Sequence, residues 1–211
     1  MSHSLQGKVL IANRCEIEIS IMNACKDLGL EYTVVYTDAD KDSEHVRRNR
    51  TSGDDQNAWR ITSYTEPNDI FAVADHTQCT AIHPGYGFFS EDYRFARRAT
   101  LRDRPLIFIG PNWEVIKSLG DKINTKRVAN KLGIPTIPGT DSPIYNEMEA
   151  EEIAQRLLDN QLAQDIKSPS ILVKAAAGGG GMGIEEVTEI EQFRRIYSQV
   201  QSYAKRQFGD G

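Results

Sequence analysis

The sequence predicts an α/β protein in two parts: a Rossmann-like parallel sheet with helices on both faces, then a small module of helix, hairpin and helix. Three observations carry this. Short apolar runs such as "KVLIA" (8–12) and "PLIFIG" (105–110) read as strands. Between them lie stretches whose apolar residues recur at helical spacing. After "IPTIPGTDSP" (134–143), whose prolines mark a hinge, the pattern changes to one long helix with an acidic start, two strands around a glycine run, and a final helix.

Taken in order, "KVLIA" is the first strand, and "EIEISIMNACKDLG" places Ile17, Ile21, Ala24 and Leu28 on one helical face, with Gly29 as the stop. "EYTVVYT" is the second strand and "WRI" the third. A helix follows over about 68–76, then the strand "CTAIHP", a helix over about 91–98, and the strand "PLIFIG". Strands that alternate with helices make a parallel sheet. "NWEVIKSLG" and "DKINTKRVANKLG" are connecting helices, "NEMEAEEIAQRLLDNQLAQDI" is the acidic-start helix, and "EIEQFRRIYSQVQSYAKRQ" closes the module. The expected divisions are 1–115, 116–140 and 141–211.

With 211 residues the chain has ample length for a core, and a net charge of −5 argues against a nucleic-acid or membrane-surface partner. The opening "MSHSLQGKVLIANR" has no long apolar run behind a basic start. It therefore predicts neither signal peptide nor membrane span, and the expected compartment is the cytoplasm, or the mitochondrial matrix for a eukaryotic source. Cys15, Cys25 and Cys79 are odd in number and form no CxxC pair, which argues against a disulfide framework or a zinc site. Cys15, beside Arg14 at a helix start, is expected to be inert. His3, His45, His76 and His83 are scattered without ligand spacing, so no metal site is expected.

The chemistry is concentrated in "SILVKAAAGGGGMGIEEV" (170–187). A Walker A loop has its lysine after the glycines and followed by Ser or Thr, whereas Lys174 precedes Gly178, Gly179, Gly180 and Gly181. A dinucleotide fingerprint opens a helix, whereas "IEEV" reads as a strand. The first strand likewise runs into "NRCEIE" rather than a glycine fingerprint, which argues against NAD, and Asp38 reads as a turn residue. What remains is strand, lysine, glycine loop, strand. This is either a flap whose amides close over a polyphosphate while the lysine neutralises it, or a plain surface hairpin tip.

Three loops, "AIHPGYGFFSED" (81–92), "SLGDKINTK" (118–126) and "VKAAAGGGGMGI" (173–184), together with "KVLIANR" and "FIGP", closely resemble biotin carboxylase in order and spacing over nearly the whole chain. That resemblance implies a pre-ATP-grasp domain followed by a truncated ATP-grasp lid. It implies ATP and Mg2+ as cofactors and biotin on a carrier as substrate, with bicarbonate attacking the γ-phosphate to give carboxyphosphate. It maps phosphate contacts to Lys122 and Lys174, with amides from Gly178, Gly179, Gly180, Gly181 and Gly183. His83, Gly85, Tyr86 and Glu91 border the active site, His83 being expected as a structural histidine rather than an acid or base.

The same resemblance implies that the main catalytic residues and the magnesium ligands lie beyond Gly211, and that the partners are the missing carboxyl-terminal domain, a biotin carboxyl carrier and a carboxyltransferase. By itself the chain is then expected to be inactive. Two departures stand out: Cys15 occupies a usual glycine position, and Met182 replaces a cation at the loop tip. Two other readings stay open, a carbamoyl-phosphate synthetase-like ATP-grasp ligase and a non-catalytic assembly or regulatory module.

Overall fold

The computed structural model describes residues 7–50, 57–175 and 183–208. The chain divides into two compact units, Met1–Lys117 and Ser118–Gly211.

In the first unit, strands β1 (Lys8–Ile11), β2 (Glu31–Tyr36), β3 (Ala58–Arg60), β4 (Ala81–His83) and β5 (Ile107–Phe108) form one sheet in the order β3-β2-β1-β4-β5. All pairings are parallel, with Leu10 of β1 opposite Thr33 and Ile82. The order reverses direction at β1 and β4, and it is outside the carboxyl ends of such strands that open α/β sheets place ligands. Helices α1 (Cys15–Asp27), α2 (Glu44–Arg50), α3 (Pro67–His76) and α4 (Tyr93–Leu101) cross between the strands.

Two apolar clusters flank the sheet. One joins Leu10, Val35, Ile82, Ile70, Phe71 and Phe95, and the other joins Val9, Ile11, Val34, Met22 and Cys25. Successive β1 residues thus feed opposite clusters, as the two-residue repeat of a strand requires.

The structure departs from the sequence-based elements at several points, β5 keeping only Ile107 and Phe108 of the run 105–110. α4 begins at Tyr93 rather than near Glu91, because the Asp92 side chain caps it by accepting from Arg94 N (2.8 Å) and Phe95 N (3.3 Å). α2 was not anticipated, since "EHVRRNR" has a single large aliphatic residue, Val46, and is held by its buried His45 and Val46.

The second unit holds helix α6 (Lys122–Lys131), the long helix α7 (Glu147–Ala163), the antiparallel pair β6 (Ile171–Lys174) and β7 (Ile184–Val187), and helix α8 (Phe193–Phe208). Helix α5 (Trp113–Leu119) lies where the two units meet in sequence. Ile171 and Val173 of β6 and Val187 of β7 pack with Ala150 and Ala154 of α7 and with Phe193, Ile196 and Val200 of α8. Alternation then turns Leu172 and Lys174 to the opposite, exposed face of the hairpin.

Candidate functional site

In the second unit, the hairpin and the start of α6 place the two candidate phosphate lysines. Asp121 caps α6 by accepting from Asn124 N at 2.7 Å, which makes Lys122 the first helical residue and leaves its side chain exposed. Its ammonium reaches the carbonyl of Ala175 at 3.4 Å, so Lys122 stands beside the start of the glycine loop. Lys174 ends β6, exposed, one residue before Ala175. The ladder continues past the strands through Ala175 N to Gly183 O (2.8 Å). Gly183 has φ +69, and a Cβ there would stand 3.1 Å from the Ala175 methyl and 3.2 Å from the Tyr203 ring, so any other residue would be strained and crowded at this position. Gly178, Gly179, Gly180 and Gly181 lie outside the described residues, as does Met182.

A cavity of about 90 Å³ lies between the hairpin and its helix, lined by Tyr145, Val173, Lys174, Ala175, Tyr197 and Val200. That is well below the roughly 300–1,000 Å³ of ligand pockets, so the cavity by itself is too small for a nucleotide. Two ammonium groups beside a glycine loop suit a polyphosphate chemically. Among the described residues no cluster of three or more His, Cys, Asp or Glu could hold a metal ion.

In the first unit, the candidate border residues follow β4, at the carboxyl edge of the sheet. His83 ends β4, and its Nδ1 accepts from Gly85 N at 3.0 Å, which puts the neutral ring's proton on Nε2. Burial lowers the His83 pKa from 6.5. Gly85 has φ +68 and lies against Asn13. Tyr86 is 77% exposed. Glu91 is exposed just ahead of the α4 cap, and no side-chain bond ties it to the others.

Behind the turn after β1 sits a buried polar pair. His45 Nε2 lies 3.1 Å from Glu18 Oε2, both side chains fully buried. Cys15 N donates to His45 Nδ1 (3.3 Å), which puts the neutral ring's proton on Nε2, and Val35 N donates to Glu18 Oε1 (3.3 Å). Burial pushes the Glu18 carboxyl well up and the His45 imidazole down. Cys15 itself adopts φ +54, and burial raises its thiol pKa, in keeping with an inert cysteine.

A family model described as biotin carboxylase, N-terminal domain, matches residues 6–116, more than half of the chain. The chain belongs to the biotin carboxylase family. A second model, described as carbamoyl-phosphate synthase L chain, ATP binding domain, matches residues 121–211. Among curated relatives, a pyruvate carboxylase subunit from Methanothermobacter thermautotrophicus is 36% identical over 204 residues, 97% of this chain and 39% of its own length. A biotin carboxylase of Halalkalibacterium halodurans is also 36% identical, over 97% of this chain and 42% of its own.

Among solved structures, the biotin carboxylase domain of Hydrogenobacter thermophilus 2-oxoglutarate carboxylase, in complex with MgADP, ADP and bicarbonate, superposes with a TM-score of 0.82 at 34% identity, covering 99% of this chain and 43% of that one. The chain therefore spans about two fifths of the length of these biotin carboxylase relatives. The α/β fold expected from the sequence, with part of an ATP-grasp lid, is the fold of this family.

Three contributors escaped the sequence reading of this biotin carboxylase chain. Asp121 is legible afterwards as an Asp ahead of a helical run. Asn13 gave a fainter signal, a polar residue directly after a fully apolar strand. The Glu18–His45 pair gave none, because the partners lie far apart in sequence and Glu18 occupies a helix where glutamate is ordinary.

Proposed function

We propose that this chain supplies the amino-terminal domain and part of the lid of a biotin carboxylase, which uses ATP and bicarbonate to carboxylate a carrier-bound biotin. The observation that carries this reading is the likeness over 99% of the chain to a biotin carboxylase domain described with MgADP and bicarbonate. Phosphoryl transfer needs positioning and charge neutralisation more than covalent help from the protein. Lys122 and Lys174 take the neutralising role, and the amides of Gly178, Gly179, Gly180, Gly181 and Gly183 the phosphate-cradling one. Mg2+, when bound, would neutralise charge developing between the phosphates, with ligands contributed outside this chain. His83, Gly85, Tyr86 and Glu91 line the active-site border, His83 as the residue that shapes the loop rather than as acid or base.

The rest of the biotin carboxylase, a biotin carrier and a carboxyltransferase are the partners this reading requires. A carbamoyl-phosphate synthetase-like ligase is the second reading, supported by the model that matches 121–211. The biotin carboxylase match over 6–116 weighs against it. The deciding experiment is phosphate release from ATP by the completed enzyme with bicarbonate, with and without free biotin. Stimulation by biotin supports the first reading. Bicarbonate-dependent hydrolysis indifferent to biotin supports the second, and no hydrolysis by a folded enzyme would leave an assembly or regulatory role.

A further inference from the structure

The loop after β4 is held in place by one side chain from the turn after β1. Asn13 is 2% exposed. Its amide nitrogen donates to Pro84 O at 2.7 Å and to Tyr86 O at 2.9 Å, while its oxygen accepts from Arg14 N at 2.9 Å. An amide nitrogen carries two hydrogens, so both are committed to this loop. Gly85 sits between the two bonded carbonyls, where a Cβ would fall 2.5 Å from the Asn13 amide nitrogen, and its own N–H is taken by His83.

Asn13 is itself fixed on both sides. Ala12 N donates to His83 O at 2.9 Å, and Cys15 N to the buried His45. Downstream, Phe89 is buried and stacks on Phe95 with ring centroids 4.0 Å apart. The backbone of 84–86 is thus clamped at both ends and from below, while the Tyr86 ring projects into solvent. A folded chain holds an aromatic ring outward on a rigid backbone at the cost of its burial, and such a ring is suited to contact a ligand.

We infer that Asn13 is a positioning residue for the candidate active-site loop: its amide holds the carbonyls of Pro84 and Tyr86, and through them sets where the Tyr86 ring stands. The kinetic consequence rests on the biotin carboxylase reading. Asn13 bonds the carbonyls of Pro84 and Tyr86 and neither candidate phosphate lysine, so its loss is expected to fall on the use of biotin rather than on the use of ATP. Asn13→Asp is the sharpest variant, because it sets a carboxylate oxygen against two carbonyl oxygens at nearly unchanged volume. Asn13→Ala removes the bonds and leaves space.

Two measurements test this. In the completed enzyme, both variants are expected to lower kcat/KM for biotin on the order of 10- to 100-fold, as misplacement of a substrate-contacting group does, with KM for ATP unchanged. Equal losses for biotin and ATP, or unaltered kinetics in a folded variant, would overturn it. In the 211-residue chain, amide NMR is expected to show the wild-type Asn13 side-chain protons exchanging slowly, and the Gly85 and Tyr86 resonances moving in Asn13→Ala. Fast exchange in the wild type overturns the inference even where the variants do not fold. A wild-type enzyme without biotin-stimulated turnover would defeat the proposed function instead, and NMR would then decide the role of Asn13 by itself.

Discussion

At the scale of single residues, the turn after β1 is where the backbone is strained. Cys15 is held at φ +54, a left-handed conformation that costs a side-chain-bearing residue roughly 1–2 kcal/mol. Glycine removes that strain but adds freedom to the unfolded chain worth about 0.4–1 kcal/mol. Cys15→Gly is therefore expected to stabilise the first unit by up to about 1 kcal/mol, read as a raised midpoint in urea denaturation. A lowered midpoint would mean that the thiol packing outweighs the strain.

His83 offers a second test at this scale. Its folded-state pKa lies below 6.5, so the native state resists the proton that the unfolded chain accepts. The stability this contributes is fully present above pH 6.5 and is lost as pH falls through the lowered value, when protonated Nδ1 can no longer accept from Gly85 N. Wild type is thus expected to lose stability relative to His83→Asn as pH drops from 7 to 5. NMR should place the titration of His83 below 6.5. The "HPGYG" loop was legible in sequence as a motif, but its support was not, because a hydrogen bond between residues 13 and 84 leaves no local pattern.

At the scale of elements, the sequence was most informative where periodicity is strong and least where an element is short and held by tertiary contacts. β1, α1 and α7 could be read directly, whereas α2 depends on burial of His45 and Val46. The "GDK" motif gains a physical meaning at this scale. Asp121 caps α6, so Asp121→Ala is expected to cost about 1 kcal/mol of stability, by loss of a cap to a first-turn amide.

The same element presents Lys122, and the adjacent strand presents Lys174. Changing either to Met removes an ammonium proposed to meet phosphate. That should weaken ATP binding to the completed enzyme by about 1.5–3 kcal/mol, the range for hydrogen bonds to charged groups, as measured by calorimetric titration. Asp121→Ala separates the two effects, since it loosens the helix start while keeping both charges. Unaltered ATP affinity in both lysine variants would return them to the status of solvated surface groups.

At the scale of the whole molecule, the order of five short motifs was more telling than any one of them, because spacing along a chain constrains the fold that joins them. What a single chain of this length could not display is the remainder of its relatives' architecture, of which it covers 43% in the structure that holds MgADP and bicarbonate. Two lysines and a glycine loop are proposed to gather phosphate. They cannot by themselves hold magnesium, bicarbonate and biotin in line, and orientation of reactants accounts for up to roughly 7–11 kcal/mol of such barriers. Residues 1–211 alone are therefore expected to bind ATP weakly and to show no biotin-stimulated phosphate release, whereas the same chain joined to the rest of a biotin carboxylase should show it. The comparison is made with ATP, magnesium and bicarbonate at equal concentrations, with and without free biotin. Biotin-stimulated turnover by the 211-residue chain would place the catalytic groups within it and overturn the assignment of magnesium and bicarbonate sites to the rest of the enzyme.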